Sequence, residues 1–281
     1  MAGLLHVVAT PIGNLDELSP RAAKCLCEVE IVFAEDTRHS RKLLARLGSN
    51  RRLQSLHEHN ERKRVDEVIS LLAENKSIAL LTDAGTPGVS DPGATLVRAV
   101  ADAGFGVVPI TGPSALAAAL SVCGFAESST DAWFVGFLPA KGKARRAKLD
   151  RVAAHPGVVV LYEAPHRLHT TLKDLTPYDP QRQVCLCREM TKVHEEVCHT
   201  TVGDLEARFS ERGKARGEIT LVLGPVTATE LSPEDELVDA ALRRCLDAGL
   251  SARDASLAVA AVLELSRRHV YQRCQRIAVD Q

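Results

Sequence analysis

Aromatic residues are scarce in this chain, since Phe, Trp and Tyr together make up 4% of its 281 residues. The cores must therefore consist mainly of Val, Leu, Ile and Ala, a composition that suits parallel sheets covered by helices. Long apolar runs are also missing, so we expect no membrane span. The first apolar segment has no basic stretch before it, and we expect a cytoplasmic protein without a signal peptide.

Zinc-binding cysteine motifs are absent as well. The eight cysteines include no Cys-x2-4-Cys pair, and the two closest pairs have Cys-x-Cys spacing, at 25/27 and 185/187. Reduced, mostly buried thiols in a reducing compartment explain these residues better than a metal site built from Cys185, Cys187, Cys198 and His199. We therefore expect no metal.

The fingerprints of the commonest nucleotide-binding and hydrolytic sites are missing too. No Gly-x-Gly-x-x-Gly opens a first helix, and there is no Gly-x4-Gly-Lys-Ser/Thr loop. The Gly-x-Ser-x-Gly motif of serine hydrolases is also absent. We therefore expect any ligand to be held by backbone amides of other loops, not by a helix N-terminus that clamps a pyrophosphate.

Two loops rich in Gly and Pro follow predicted buried strands. The apolar run 78–81 leads into 82–93 (TDAGTPGVSDPG), and 107–110 leads into 111–116 (TGPSAL). Glycine lets the backbone approach a ligand closely, and proline fixes the loop shape before anything binds. Because ligands of α/β proteins bind beyond the carboxyl ends of the strands, these loops predict a preformed small-molecule pocket.

Strands and helices alternate through residues 1–124, which predicts a parallel sheet with helices on both faces. After residue 124 strands outnumber helices, so we expect a mixed α+β domain over 125–225, with the ligand cleft between the two domains. Residues 226–281 predict a linker and three helices similar to a helix-turn-helix module. The expected fold class is therefore α/β, with two domains and a small C-terminal helical module.

Basic residues cluster in three segments, although the formal net charge is −1. Such clusters suit a phosphate-backbone partner, while ordinary solvated surface explains any single cluster equally well. The clusters are Lys141, Lys143, Arg145, Arg146 and Lys148; Arg38, Arg41, Lys42, Arg46, Arg51 and Arg52; and Arg267, Arg268, Arg273 and Arg276.

Eight motifs occur in the order that a known family shows. They lie at 8–17 (VATPIGNLDE), 34–40 (AEDTRHS), 82–93, 111–115, 136–139 (GFLP), 162–167 (YEAPHR), 188–192 (REMTK) and 217–218 (GE). Over residues 4–224 the chain thereby resembles the tetrapyrrole-methylase fold, class III of the S-adenosylmethionine-dependent methyltransferases. It resembles more closely the family of bacterial 16S rRNA (cytidine-2′-O)-methyltransferases, and 249–272 is similar to that family's small helical domain.

The resemblance implies an S-adenosylmethionine (AdoMet) site in the cleft, methylation of a decoding-centre cytidine in 16S rRNA or the 30S subunit, and a homodimer. The cofactor-binding residues that it implies are Pro11, Gly13, Asp83, Gly85, Pro87, Thr111, Pro113, Ser114 and Ala115. We expect contacts with the RNA backbone from Arg38, Lys141, Lys143, Arg145, Arg146 and Arg188.

A ribose 2′-hydroxyl must lose its proton as it attacks the methyl group in line. Positioning should therefore dominate catalysis, with a base that removes the proton late. Asp36 is the first candidate base, followed by Glu163 and Glu189, and Lys192 joins the catalytic set as a cation that holds a phosphate or lowers a neighbour's pKa. A loop-bracing ion pair is the alternative role for each of them.

Two other functions stay open at this stage. A methyltransferase of the same fold that acts on a tetrapyrrole precursor needs neither the basic clusters nor the C-terminal helices. A ligand-responsive DNA-binding regulator would use residues 234–281 to contact DNA. Cations and anions are nearly balanced in that segment, which gives it little electrostatic attraction to a duplex.

Overall fold

A computed structural model describes residues 3–57, 59–125, 131–213, 215–226 and 233–277. The first of its two sheets is parallel. Its strands run in the order β3-β2-β4-β1-β5. They are β1 (Leu4–Val8), β2 (Ile31–Ala34), β3 (Arg52–Ser55), β4 (Ile78–Leu81) and β5 (Gly106–Ile110). Both β2 and β4 are buried at every position, which is why their sequences are continuous apolar runs. Because β1 lies between β4 and β5, the loops after these three strands meet at one edge.

Helices cover both faces of this sheet, as the alternating pattern predicts. Helices α1 (Pro20–Glu28) and α2 (Thr37–Arg46) pack on one face, and α3 (Glu61–Ala73) and α4 (Ala94–Asp102) pack on the other. The Ser19 hydroxyl caps α1 by accepting a hydrogen bond from the backbone N–H of Ala22. A short 3-10 helix (Leu15–Glu17) follows β1 and was not expected from the sequence.

The second sheet is mixed, in the order β6-β7-β10-β8-β9. Its strands are β6 (Ala132–Phe137), β7 (Val158–Glu163), β8 (Gln183–Arg188), β9 (Glu196–Thr201) and β10 (Ile219–Leu223). Helices α6 (Gly142–Ala154), α7 (Leu168–Leu175) and α8 (Val202–Arg212) pack on one face. Helix α5 (Ala115–Val122) follows β5 but packs on the other face of this second sheet, so it joins the two halves.

Three helices form a separate small core at the C-terminus: α9 (Pro233–Asp247), α10 (Ala252–Val262) and α11 (Arg267–Ile277). Much of the predicted linker before them lies outside the described residues. Arg273 differs from the expectation of a surface cation, because it is 8% exposed and its guanidinium makes two 2.7 Å hydrogen bonds to Asp239. This arginine stabilises the helical module and has little exposed surface with which to contact a phosphate.

All eight cysteines are free thiols. None of the helices in the described ranges is long and apolar enough to cross a membrane. Within the same ranges, no three His, Cys, Asp or Glu side chains are placed to hold a metal ion.

Candidate active site

The loops that follow β1, β4 and β5 are hydrogen-bonded to one another. Thr10 and Gly85 exchange backbone hydrogen bonds of 2.8 and 3.0 Å, which join the β1 loop to the β4 loop. The hydroxyl of Thr86 donates to the carbonyl of Pro113 at 3.3 Å and joins the β4 loop to the β5 loop. Gly85 has a φ of +83°, a conformation that a residue with a Cβ adopts only with strain. The Gly/Pro loops are therefore held in shape by the protein itself.

A cavity of about 340 Å³ lies between these loops and the second sheet. Of the predicted cofactor-binding residues, Gly85, Ser114 and Ala115 line it. Six others belong to the same loops without lining the cavity: Pro11, Gly13, Asp83, Pro87, Thr111 and Pro113. Wall residues that the sequence analysis did not assign include Ile12, Ser90, Asp91, Phe137, Tyr162 and Met190.

Asp91 is the most perturbed carboxyl group in the cavity wall. Burial raises the pKa of Asp91 to about 6, and the nearby charge of Glu35 adds to this effect, while a hydrogen bond with Thr82 partly offsets it. A carboxylate that is costly to ionise is stabilised by a cationic ligand, so the cavity favours a ligand that carries positive charge. The position of Asp91 inside the 82–93 motif is the sequence signal that could have identified it.

Tyr162, at the end of β7, links the two halves of the site. Its hydroxyl accepts a hydrogen bond of 3.1 Å from the backbone N–H of Leu116 in the first turn of α5. Burial raises the pKa of Tyr162. Its ring lies edge-on to those of Phe134 and Phe137, with centroids 4.9 and 5.7 Å away. Phe137 is 53% exposed, so the mouth of the cavity presents an aromatic ring to solvent.

Asp36 is the N-cap of α2 and lies outside the cavity wall. Its carboxylate accepts a 2.8 Å hydrogen bond from the backbone N–H of Arg38 and pairs with the Arg38 guanidinium at 2.7 Å. These hydrogen bonds hold the pKa of Asp36 well below its usual range. The backbone N–H of Asp36 also donates to Asp83 Oδ1 at 3.1 Å, so Asp83 fixes this turn. A carboxylate with a lowered pKa is a weak proton acceptor, which argues against the predicted role as base.

Glu163 borders the cavity, but its carboxylate is bound within the protein. It is 2% exposed, accepts a hydrogen bond from the hydroxyl of Thr171, and accepts another of 2.9 Å from the backbone N–H of Ala164. The Nε of Arg167 lies 3.5 Å from the same carboxylate. These contacts argue against the predicted role as a catalytic base, because both carboxylate oxygens of Glu163 are engaged in bracing the end of β7 against α7.

Arg145 is likewise internal, in contrast to the predicted RNA contact. It is 7% exposed, and its guanidinium bonds Asp174 at 2.9 Å, the Thr171 hydroxyl at 2.9 Å and the Pro139 carbonyl at 3.2 Å. Helical periodicity is the reason, because position 145 shares the buried face of α6 with Leu149. The neighbouring predicted RNA contacts Lys141, Lys143 and Arg146 are exposed.

Lys192 lies at the seam between the two domains. Its Nζ is 2.8 Å from Glu189 Oε1 and 3.1 Å from Glu218 Oε2. Burial alone would lower the pKa of Lys192, but the two carboxylates outweigh burial and raise it. The hydrogen bond from Lys192 in turn lowers the pKa of Glu189. A Cβ placed on Gly13 would come within 2.5 Å of Lys192 Cγ, so this lysine packs directly on the loop after β1.

The turn that carries Lys192 has a strained backbone. Glu189 and Thr191 have φ values of +50° and +67° without being glycine, a cost that proteins tend to accept at functional sites. Arg188, a predicted RNA contact just before this turn, donates to Glu196 at 2.8 Å and is only partly exposed. The turn therefore places Lys192 beside the cavity, where it pairs with the wall residue Glu218, while Arg188 is engaged in an ion pair of its own.

Sequence comparison identifies similar proteins along the whole chain. The family model of tetrapyrrole (corrin/porphyrin) methylases matches residues 4–206. A protein from Synechocystis sp. named ribosomal RNA small subunit methyltransferase I is 40% identical and covers 99% of both chains. Proteins of the same name from Xylella fastidiosa (strain Temecula1) and Pseudomonas aeruginosa are 46% and 41% identical; they cover 79% and 96% of this chain and 81% and 96% of their own.

Solved structures also share this architecture. The methyltransferase CobJ superposes with a TM-score of 0.61 at 18% identity, covering 83% of this chain and 98% of its own. The uroporphyrin-III C-methyltransferase from Thermus thermophilus, complexed with S-adenyl homocysteine, superposes with a TM-score of 0.57 at 18% identity, covering 79% of this chain and 97% of its own. At this level of identity the two structures show a common fold.

Proposed function

The chain belongs to the family of ribosomal RNA small subunit methyltransferase I within the tetrapyrrole methylases, and from that premise we propose that it transfers the methyl group of AdoMet to the ribose 2′-hydroxyl of a decoding-centre cytidine in 16S rRNA. The main support is the match to relatives of that name from end to end, at 40% identity over 99% of both chains. The cleft supports the same proposal by its chemistry.

The cavity fits AdoMet in its electrostatics. AdoMet carries a sulfonium and an ammonium group, and Asp91 is a partly buried carboxyl group with its pKa raised to about 6, beside the charge of Glu35. Gly85, Ser114 and Ala115 would hold the ligand from the loops, and the other six predicted cofactor-binding residues would shape those loops. When bound, AdoMet supplies an electrophilic methyl group.

The protein's own contribution to the reaction is mainly positioning. Holding the acceptor hydroxyl in line with the methyl group lowers the entropic part of the barrier, and the hydroxyl proton passes to solvent water late in the transfer. Asp36 and Glu189 have lowered pKa values and accept protons weakly. We therefore assign Asp36 and Glu163 a structural role, in which they hold the loops around the acceptor. We assign Lys192 the binding of the phosphate next to the reacting ribose.

An RNA substrate agrees better with the surface than a tetrapyrrole does. Arg38 has 88% of its side chain exposed, and Lys141, Lys143 and Arg146 are exposed cations that can contact phosphates. The burial of Arg273 argues against a DNA-reading role for α11. We also propose a cytoplasmic homodimer, in which the exposed edge of β9 and the 95% exposed Val193 are available for the partner.

The decisive experiment is methyl transfer from labelled AdoMet to 30S subunits from a strain that lacks the endogenous enzyme, followed by nucleoside analysis. We expect 2′-O-methylcytidine in 16S rRNA. A methylated base would contradict the ribose as acceptor while keeping an rRNA methyltransferase. No incorporation, with AdoMet binding intact by calorimetry, would favour a small-molecule acceptor. Naked 16S rRNA, tested in parallel, shows whether the assembled subunit is required.

A further inference from the structure

A groove larger than the cleft lies between the second domain and the C-terminal helices. It encloses about 780 Å³ between α6, α7 and α11. Lys141 and Arg146 line it at the start of α6, Lys173 lines it from α7, and Tyr271 and Gln272 line it from α11. The groove therefore exists only because the C-terminal module packs beside α6.

The groove is positively charged. Lys141, Arg146 and Lys173 are exposed, and none of them has an ion-pair partner among the described residues. The two acidic residues in the wall are already bound: Asp174 by Arg145 at 2.8 Å, and Asp150 by the hydroxyl of Tyr178 at 2.5 Å. Because four cationic side chains line the groove against two carboxylates, its wall is cationic on balance, whereas the AdoMet cleft is lined by acids.

Tyr271 adds an aromatic surface to these cations. It is one of only three tyrosines in the chain, and it is 43% exposed. Its hydroxyl accepts a hydrogen bond of 3.0 Å from Gln275 Nε2, which restrains the ring. Cations that track a phosphate backbone, together with an exposed ring on which a base can stack, are the combination that binds single-stranded nucleic acid.

The groove begins close to the mouth of the cleft. Phe137 lines the cleft and Lys141 lines the groove. The two residues are four positions apart in the chain, so their Cα atoms are separated by at most about 14 Å. Arg145 and Arg167 hold the connecting turn by hydrogen bonds to the carbonyl of Pro139, of 3.2 and 3.1 Å. An RNA strand that enters the cleft can therefore continue directly into the groove.

We propose that the groove between α6, α7 and α11 binds a single-stranded stretch of RNA adjacent to the acceptor nucleotide, so that the C-terminal helices form one wall of the RNA site. Lys141, Arg146 and Lys173 contact successive phosphates, and Tyr271 stacks on a base. The identity of the RNA rests on the proposed function, whereas the groove and its ligand chemistry follow from the contacts above.

The test uses the full-length protein and a fluorescently labelled single-stranded RNA with the decoding-region sequence, titrated by anisotropy at several salt concentrations. The triple variant Lys141→Ala/Arg146→Ala/Lys173→Ala removes the three groove cations. Arg62→Ala/Lys63→Ala/Arg253→Ala is its control, because it removes the same charge from exposed positions outside the groove. Each lost phosphate contact should reduce the salt slope of log K by about 0.7, so the groove variant should lose about 2 and the control nothing.

Tyr271 provides a second, uncharged test. Tyr271→Ala should weaken RNA binding about tenfold, as expected for a lost stacked base, and Tyr271→Phe should retain it because the ring remains. AdoMet affinity, measured by calorimetry, should stay unchanged in every variant, which also confirms that the variants are folded.

The outcomes separate the groove from the proposed function. A groove variant with the salt slope of the control overturns the groove, even if the wild-type protein methylates 30S subunits. If duplex RNA binds as tightly as single-stranded RNA, and if Tyr271→Ala does not weaken binding, the proposal of a single-stranded ligand is overturned. Loss of RNA binding in the groove variant supports the groove, even if the wild-type protein fails to methylate rRNA and the proposed function falls.

Discussion

Two aspartates near the carboxyl ends of adjacent strands have pKa shifts in opposite directions. Asp36, after β2, accepts hydrogen bonds from the Arg38 side chain and from backbone N–H groups, which lower its pKa. Asp91, in the loop after β4, is partly buried beside another carboxylate, which raises its pKa to about 6. The residue type is the same, and only the surroundings make Asp91 suited to a cationic ligand and Asp36 suited to capping a helix.

The raised pKa of Asp91 predicts a pH-dependent cofactor affinity. AdoMet binding by the wild-type protein should weaken as the pH falls through about 6, because the protonated carboxyl no longer attracts the cation. Asp91→Asn should bind AdoMet about tenfold more weakly at pH 8, without this pH dependence. Calorimetry between pH 5 and pH 8 checks both, with the surface variant Asp66→Asn as control. A wild-type affinity that does not change with pH would contradict the prediction.

The same shift makes a prediction about stability. Because the folded-state pKa of Asp91 is above its ordinary value, its contribution to stability is complete at low pH and is lost as the pH rises through about 6. Asp91→Asn without ligand should therefore be more stable than the wild type at pH 8. The gain should be roughly 1 kcal/mol, discounted because water still screens part of the carboxyl. Thermal unfolding at pH 5 and pH 8 measures it, and an equal effect at both would refute it.

The role of Asp36 can be tested with a variant that removes the charge but keeps a side chain able to cap α2. Asn also caps helices, so Asp36→Asn should retain methyl transfer to within about tenfold, whereas loss of a general base costs about 10²–10⁴-fold. Asp36→Ala removes the cap and should also lower the melting temperature. Turnover measured at saturating AdoMet distinguishes the roles. An inactive Asn variant with normal AdoMet affinity would restore Asp36 as the base.

Helix α6 shows how one element divides adjacent cations between two roles. Arg145 faces inward and joins α6 to α7 through Thr171 and Asp174, while Arg146, the next residue, is exposed in the groove. The sequence pattern predicts a helix over 142–154, and α6 has these bounds. It predicts the preceding helix only from residue 40, whereas α2 begins at Thr37 because Asp36 caps it. Local pattern thus places the helix, and packing assigns its side chains.

Replacing each of these arginines separately should give opposite results. Arg145→Ala removes the buried guanidinium that bonds Asp174 and the Thr171 hydroxyl and should cost about 2 kcal/mol of stability. Arg146→Ala should change stability by less than about 0.5 kcal/mol and should weaken RNA binding instead. Thermal unfolding and RNA titration of both variants measure this contrast. Equal stability of the two variants would show that the buried pair is not needed.

At the scale of the whole molecule, the cleft depends on two sheets that are distant in sequence. The cavity wall combines the loops of the first sheet with β7 and β10 of the second, and α5 and Tyr162 tie the two together. A ligand held there stabilises both halves at once. This arrangement explains why the functional motifs are spread over most of the chain.

Cofactor binding should therefore protect both domains together. AdoMet at 100 times its dissociation constant should raise the free energy of unfolding by about 2.7 kcal/mol. Hydrogen exchange should slow in the loops 82–93 and 111–116 and also at the ends of β7 and β10. Mass spectrometry of peptides with and without AdoMet measures this protection. Protection confined to the first domain would contradict a cleft shared by both.

The sequence by itself determined the elements, the fold class and the family. The local pattern predicts strands over 31–34, 78–81 and 158–163 and helices over 142–154 and 267–277. The bounds of β2, β4, β7, α6 and α11 agree with these ranges, because buried strands and capped helices are encoded by neighbouring residues. The same motifs identified the Gly/Pro loops beside the cavity. The sequence pattern also predicts a strand over 193–201, but β9 begins only at Glu196. The turn before it is held by a hydrogen bond from Lys192 to Glu218, which is 26 residues away.

Only the tertiary structure decided what the charged side chains do. Arg145 and Glu163 meet at Thr171, which is 26 residues from the first and 8 from the second. Helical periodicity places Arg145 on the inner face of α6, but only the fold supplies the partners of the two side chains. The raised pKa of Asp91 likewise comes from burial and from Glu35, which follows β2. Hydrophobic periodicity is a local property of the chain, whereas desolvation and ion pairing arise between segments that meet only after folding.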